Sequence, residues 1–82
     1  MYYTYILWLY KINKYYTGQT NDLNRRIVEH NLGKTRFMKI GMPWQLVYSQ
    51  THQTRSEAIN LENRIKKREV ARFLEDMVEK NS

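Results

Sequence analysis

The run from Tyr2 to Tyr10 limits the possible folds more than any other feature of the chain. Every residue in it is aromatic, aliphatic or β-branched, and none is charged. Such a run is extended. Because both of its alternating faces are apolar, it must be covered from both sides. A chain of 82 residues must therefore place strands beside this segment and apolar helix faces above and below it.

The rest of the chain supplies those partners. After the polar break Lys11-Ile12-Asn13-Lys14, Tyr15 to Thr20 reads as a second strand, so the pair forms a hairpin. Thr20-Asn21-Asp22 offers N-caps for a helix from Leu23 to Asn31, with Gly33 as its stop. Residues 34 to 43 read as a basic loop containing Gly41 and Pro43, and Trp44 to Ser49 as a third strand. Thr54-Arg55-Ser56-Glu57 fits a capping box that opens a helix running to about Lys67. The set Val70, Phe73, Leu74, Met77 and Val78 forms a second amphipathic stripe. At about 100° per residue this stripe lies far around from Ala58, Leu61 and Ile65. One straight helix cannot aim both stripes at one core, so the spacing predicts a break near Lys67 to Val70, although no Gly or Pro marks it. The expected fold is α/β of the α+β kind, a three-stranded antiparallel sheet flanked by about three helices. The order is β-β-α-β-α-α, in a single domain over residues 1–82.

Fourteen Lys and Arg against eight Asp and Glu give a formal charge of +6, which favours a polyanionic partner. The absence of cysteine excludes disulfides and thiolate metal sites. No apolar run approaches the roughly 20 residues that span a bilayer, and no secretory signal is evident. The expectation is a cytoplasmic protein without a membrane partner.

The positions that point to chemistry are polar residues on faces that should be apolar. With Leu23 as reference on the first helix, Ile27 lies about 40° away, His30 about 20° to the other side and Arg26 about 60°. Arg25 points nearly opposite, toward solvent. Arg26 and His30 thus form an i, i+4 pair flanking the buried stripe. A packed guanidinium stem and a half-buried, hydrogen-bonded imidazole are the structural alternatives. Glu62 follows Ala58 by four residues and precedes Ile65 by three, which places a carboxylate within an apolar stripe. An unpaired carboxylate there is costly, so it needs a metal, a donor or a cation; the structural alternative is an ion pair to Arg26 or a nearby Lys. If the hairpin turns at Ile12-Asn13, opposed residues sum to an odd number, and Tyr5 and Tyr16 project from the same face. The structural alternative for both is core packing. Gly18 inside a strand suggests a bulge or a close approach.

Tyr3-Thr4-Tyr5, Tyr16-Thr17-Gly18, Arg26 and His30 on the following helix, and Glu62 together resemble the GIY-YIG nuclease superfamily. Small stand-alone bacterial members, similar to the nuclease domains of excision-repair and structure-specific endonucleases, look closest. The stretch from Tyr15 to Leu23 leading into Arg25-Arg26 is the most specific part, and the likeness extends over roughly residues 2 to 75. The resemblance implies a metal-dependent endonuclease acting on DNA, with a place in repair or recombination. It carries over Tyr5 and Tyr16 as motif tyrosines, Arg26 as the catalytic arginine, His30 as the helix residue after it and Glu62 as the metal-binding glutamate. The sequence departs from the pattern in three places. The first motif lacks its Gly, Thr17 replaces Ile, and Gln19 stands where some members carry a Lys that assists the base. The chain carries no appended DNA-binding module, which leaves room for a partner protein in substrate targeting.

The chemistry fits these groups. A phenol titrates near pH 10, so a phenolate base near neutrality requires adjacent positive charge. Arg26 can hold non-bridging phosphate oxygens bidentately. One protein carboxylate completed by water or phosphate suits Mg²⁺ or Mn²⁺ better than Zn²⁺. His30 can orient a tyrosine or relay a proton. Lys34, Arg36, Lys39, Lys66 and Lys67, with Arg55, Arg64 and Arg68, are candidate backbone contacts that give affinity without sequence readout. Two other classes compete with this reading. One is a non-catalytic nucleic-acid or protein-binding module on the same fold, and metal-dependent cleavage discriminates it. The other is a structural role, such as dimerisation through the aromatic N-terminal strand, which solution mass discriminates.

Overall fold

Strand β1 (Tyr2–Leu9) is the centre of the molecule, with β2 (Lys14–Thr20) on one side and β3 (Trp44–His52) on the other, both antiparallel to it. Helix α1 (Leu23–Asn31) follows β2, and α2 (Arg55–Arg68) and α3 (Val70–Lys80) follow β3. The structure, a computed structural model, describes residues 1–32 and 44–80. The expected loop from 34 to 43, the helix stop at Gly33 and the contacts expected of Lys34, Arg36 and Lys39 lie outside the described residues. The expected architecture and element order are found.

The central strand is covered on both faces, as its composition requires. On one face Tyr5, Leu7 and Leu9 pack with Trp44, joined by Ile12, Tyr16, Leu23 and Ile27. Helix α1 lies on this face. On the other, Ile6 packs with Leu61 and Ile65, joined by Tyr48, Val70, Phe73 and Leu74, so α2 and α3 lie there. Full burial of a Leu, Ile or Phe side chain contributes about 1.5–3 kcal/mol, so these two layers carry much of the stability. Val78, expected on the inward stripe of the last helix, is instead 70% exposed. It lies near the end of α3, beyond the sheet contacts made by Val70, Phe73 and Leu74.

The hairpin turns one residue earlier than expected. Leu9 pairs with Lys14, and Leu7 with Tyr16, which centres the turn on Lys11-Ile12 rather than Ile12-Asn13. Asn13 has φ 50°, a left-handed conformation that Asn tolerates better than most residues. Moving the centre by a whole residue changes each pair sum by two. The parity that places Tyr5 and Tyr16 on one face is therefore preserved. The ladder between β1 and β2 runs without interruption through Gly18, so the glycine marks a close approach and not a bulge. The irregularity lies between β1 and β3, at Ile6/Leu7, where Val47 is the additional residue.

Local signals fix the helix ends. The Asp22 side chain accepts from the Arg25 backbone N–H, which identifies Asp22 as the N-cap of α1. Thr54 and Glu57 form the full capping box at α2. The chain breaks between α2 and α3 at Glu69, whose φ of 77° is costly for a residue with a Cβ. The energy that holds it there is burial: with the break, Leu61 and Ile65 and then Val70, Phe73 and Leu74 all reach the same face of the sheet. Arg68 and Asp76 clamp the two helices together through two hydrogen bonds of 3.0 and 3.3 Å. Helix α2 is tied to β1 by the buried Thr4, whose hydroxyl donates to the Ala58 carbonyl at 2.8 Å and accepts from His52 Nε2 at 3.0 Å.

Candidate active site

Tyr5 and Tyr16 project from the face of the sheet that carries α1, because Tyr5 opposes Gly18 and Tyr16 opposes Leu7. Their ring centroids are 6.3 Å apart. His30, one turn after Arg26, completes a triangle of rings with them, its centroid 6.0 Å from Tyr5 and 5.2 Å from Tyr16. Trp44 closes the group, 4.9 Å from the imidazole and 5.7 Å from Tyr16. The Tyr5 hydroxyl and His30 Nε2 are 3.1 Å apart, within hydrogen-bond distance. His30 is fully buried, deeper than the half-buried position that helix angles suggest, because Trp44 covers the side that α1 leaves open.

Gly18 explains how a buried phenol reaches this position. A Cβ built on it would lie 2.6 Å from the Tyr5 hydroxyl and 2.8 Å from Cζ. The ring therefore crosses directly over the glycine toward β2, which is an edge strand of the described sheet. Arg26 from α1 and Glu62 from α2 both act electrostatically on the Tyr5 phenol, although their helices pack on opposite sides of the sheet.

The charges that act on the Tyr5 phenol and the His30 imidazole are asymmetric. Arg25 is 62% exposed, points away as expected and pairs with Glu29 at 3.4 Å. That pair engages the nearest carboxylate on α1. Among the described residues the half-buried Arg26 guanidinium makes no ion pair, and its field reaches both Tyr5 and His30. Glu62 is 17% exposed and pairs with Lys66 at 3.0 Å. Of the structural alternatives for Glu62, the nearby lysine and not Arg26 is the one present. The pairing also engages Lys66, a residue expected to contact phosphates. Both ion pairs have i, i+4 spacing, a signal that the sequence carries but that does not reveal which partner each charge chooses.

Burial governs the titrating groups. It pushes the Tyr5 phenol well above its ordinary value, with Tyr16 adding to the rise and Arg26 opposing it. Burial, then Arg26, holds the His30 imidazole below its ordinary value, so it is neutral near pH 7. Its Nδ1 is buried and finds no hydrogen-bond partner among the described residues. The donor set limits the metal chemistry. No group of three His, Cys, Asp or Glu side chains converges among the described residues. The Glu62 carboxylate is a hard oxygen donor, of the kind that Mg²⁺ and Mn²⁺ accept alongside water. No described helix is long and apolar enough to cross a membrane.

Comparison with known proteins gives the family. The family model described as the GIY-YIG catalytic domain matches residues 1–73. A UPF0213 protein of Staphylococcus epidermidis is 46% identical over 52 residues, covering 62% of this chain and 63% of that relative. The UPF0213 protein YazA of Bacillus subtilis is 38% identical over 58 residues, covering 70% of this chain and 59% of the relative. The matched region thus spans less than two thirds of the length of these curated relatives. A UPF0213 protein from Bacillus halodurans, solved in solution by NMR, is 33% identical with a TM-score of 0.57. That similarity covers 96% of this chain and 84% of that one.

Proposed function

The chain belongs to the GIY-YIG family, and on that premise we propose that it is a metal-dependent endonuclease hydrolysing phosphodiester bonds in DNA, with a role in repair or recombination. The observation that carries this reading is the Arg26 guanidinium, half-buried, acting on both Tyr5 and His30, and without an ion pair among the described residues. A charge held there without a carboxylate is costly unless an anion is its partner. A phosphate, gripped bidentately through two non-bridging oxygens, is the partner its fork fits.

The remaining roles follow from exposure and charge. Tyr5 is 1% exposed and burial keeps it protonated through neutral pH, so it is a positioning residue that fixes His30. The half-buried Tyr16 is the phenol that solvent reaches; it orients the attacking water and, only in its phenolate form, would take the proton of that water and become the phenol. Neutral His30 adds no competing charge beside Arg26, so the guanidinium remains the local cation for the phosphate. Glu62 is the carboxylate that would hold Mg²⁺ or Mn²⁺, once Lys66 moves aside. The cation supplies stabilisation of the leaving oxygen. Lys67, and Lys34, Arg36 and Lys39 outside the described residues, add backbone affinity within a chain of net charge +6.

The test is cleavage of labelled flapped, branched and single-stranded DNA with Mg²⁺ or Mn²⁺, using wild type, Glu62→Gln, Arg26→Ala and Tyr16→Phe. Wild type should cut, each variant should lose on the order of 10²-fold or more in rate, and all four should be folded at the assay temperature. Cutting by Glu62→Gln at the wild-type rate would end the metal-site reading. A wild type that binds every substrate and cuts none would favour a binding module on this fold.

A further inference from the structure

We propose that the aromatic cluster at the tip of the β1–β2 hairpin is a stacking platform for unpaired nucleobases, flanking the phosphodiester site and selecting substrates with a single-stranded segment. This rests on the nucleic-acid reading of the adjacent site. Trp8 and Tyr15 oppose each other across the ladder on the face that carries α2, with ring centroids 4.7 Å apart. Tyr10 joins edge-on, 6.4 Å from Trp8, and its hydroxyl is anchored by donation to the Gln45 side chain. The packed core of this face takes in Ile6 and Tyr48 and stops short of the three rings. Tyr10 is 52% exposed and Tyr15 38% exposed, while Trp8 is half-buried. Partly exposed rings that already pack on one another cost little entropy to engage and accept any base, because every base has a π-face.

Two further observations favour nucleic acid as the occupant. The patch is flanked by cations, with Lys11 in the turn and Lys14 at the start of β2, both exposed and neither ion-paired among the described residues. A protein-docking surface needs no such cations, whereas a phosphate chain beside stacked bases does. The patch is also continuous with the candidate site. Tyr15 and Tyr16 are consecutive on edge strand β2, pointing to opposite faces, and Lys14 shares the face of Tyr16. A strand whose phosphate lies against Tyr16 and Arg26 can pass around this edge, place its backbone along Lys14 and Lys11, and lay its next bases on Tyr15, Trp8 and Tyr10. A continuous duplex offers no free base face there.

The experiment measures binding in EDTA, so it requires no cleavage. The probes are a fifteen-residue oligo(dT) and a blunt duplex of equal length, read by anisotropy and by tryptophan fluorescence. Wild type should prefer the single strand and show quenching. The Tyr10→Leu/Tyr15→Leu double variant, which retains apolar area over Trp8, should bind oligo(dT) at least about 10-fold more weakly, with duplex affinity changed less than about twofold. Tyr15→Phe should restore most of the loss in that background, which a purely charge-based contact would not show. Equal losses for both probes, or no loss, would overturn the platform. So would sedimentation showing that wild type self-associates through this patch and the double variant does not. An unfolded double variant would be replaced by Tyr10→Ala alone, on the exposed turn, with an expected loss of about 5-fold. The two readings fail separately: a wild type that stacks oligo(dT) but never cuts removes the nuclease and keeps the platform. Active wild type with unchanged oligo(dT) binding in the variants does the reverse.

Discussion

The Tyr5 hydroxyl passes over Gly18 so closely that a Cβ at position 18 would lie 2.6 Å from it. Neither side can yield easily, since Tyr5 is buried and held to His30, and Gly18 is fixed in an unbroken ladder. Gly18→Ala should therefore destabilise the protein by about 1–3 kcal/mol through overpacking. In a Tyr5→Phe background, which removes the closest atom, the same change should cost less. Thermal melts of the four proteins in this cycle check the coupling; strictly additive losses would separate the two residues.

Acidification should weaken the fold through His30. Its folded-state value lies below the ordinary 6.5, so the unfolded chain binds the proton first as pH falls. The contribution of the neutral imidazole is complete above 6.5 and is lost as pH drops from there toward the folded value. His30→Gln should flatten this part of the stability profile. Tyr5 acts at the other end: its folded value lies above 10, so its contribution is complete below 10 and declines as pH rises beyond it. NMR titration of the His30 ring, with melting temperature measured across pH, tests both signs.

Thr17→Val should stabilise the protein. The Thr17 hydroxyl is buried at the position where the family motif carries Ile, and it has no hydrogen-bond partner among the described residues. An isosteric apolar side chain removes that desolvation cost, about 1 kcal/mol, which raises the melting temperature by roughly 4–8 °C in a domain of this size. A lower melting temperature in Thr17→Val would mean that the hydroxyl is satisfied.

Lys66 should act as a competitor at Glu62. The pair is more than half exposed on the lysine side and adds little stability, so Lys66→Met should leave the melting temperature nearly unchanged. It should, however, tighten Mn²⁺ binding by about twofold to threefold, since the ammonium no longer occupies the carboxylate. Glu62→Gln should abolish the effect. Water-proton relaxation with Mn²⁺ reads this without any nucleic acid.

The sequence by itself determined the parts of the molecule that depend on local periodicity and pairing parity. The doubly apolar run required a central strand covered on both faces, and the structure has one. The capping box at Thr54 and the mismatch of apolar stripes around residue 69 fixed where α2 begins and where it must end. Parity brought Tyr5 and Tyr16 to one face even though the turn is shifted by a residue. Helix angles aimed Arg26 and His30 toward that face and Arg25 away from it. Tertiary structure alone decided how these groups are used. Helical spacing cannot show that Trp44 buries His30, that Glu29 is engaged by Arg25, or that Glu62 pairs with Lys66. Nor can it show that charges on helices packed against opposite faces, Arg26 and Glu62, both act on the Tyr5 phenol. Periodicity constrains the direction of a side chain relative to its own element. The partner it meets, and the water it loses, depend on how the elements pack, because desolvation and charge pairing act over distances set by the fold and not by the chain.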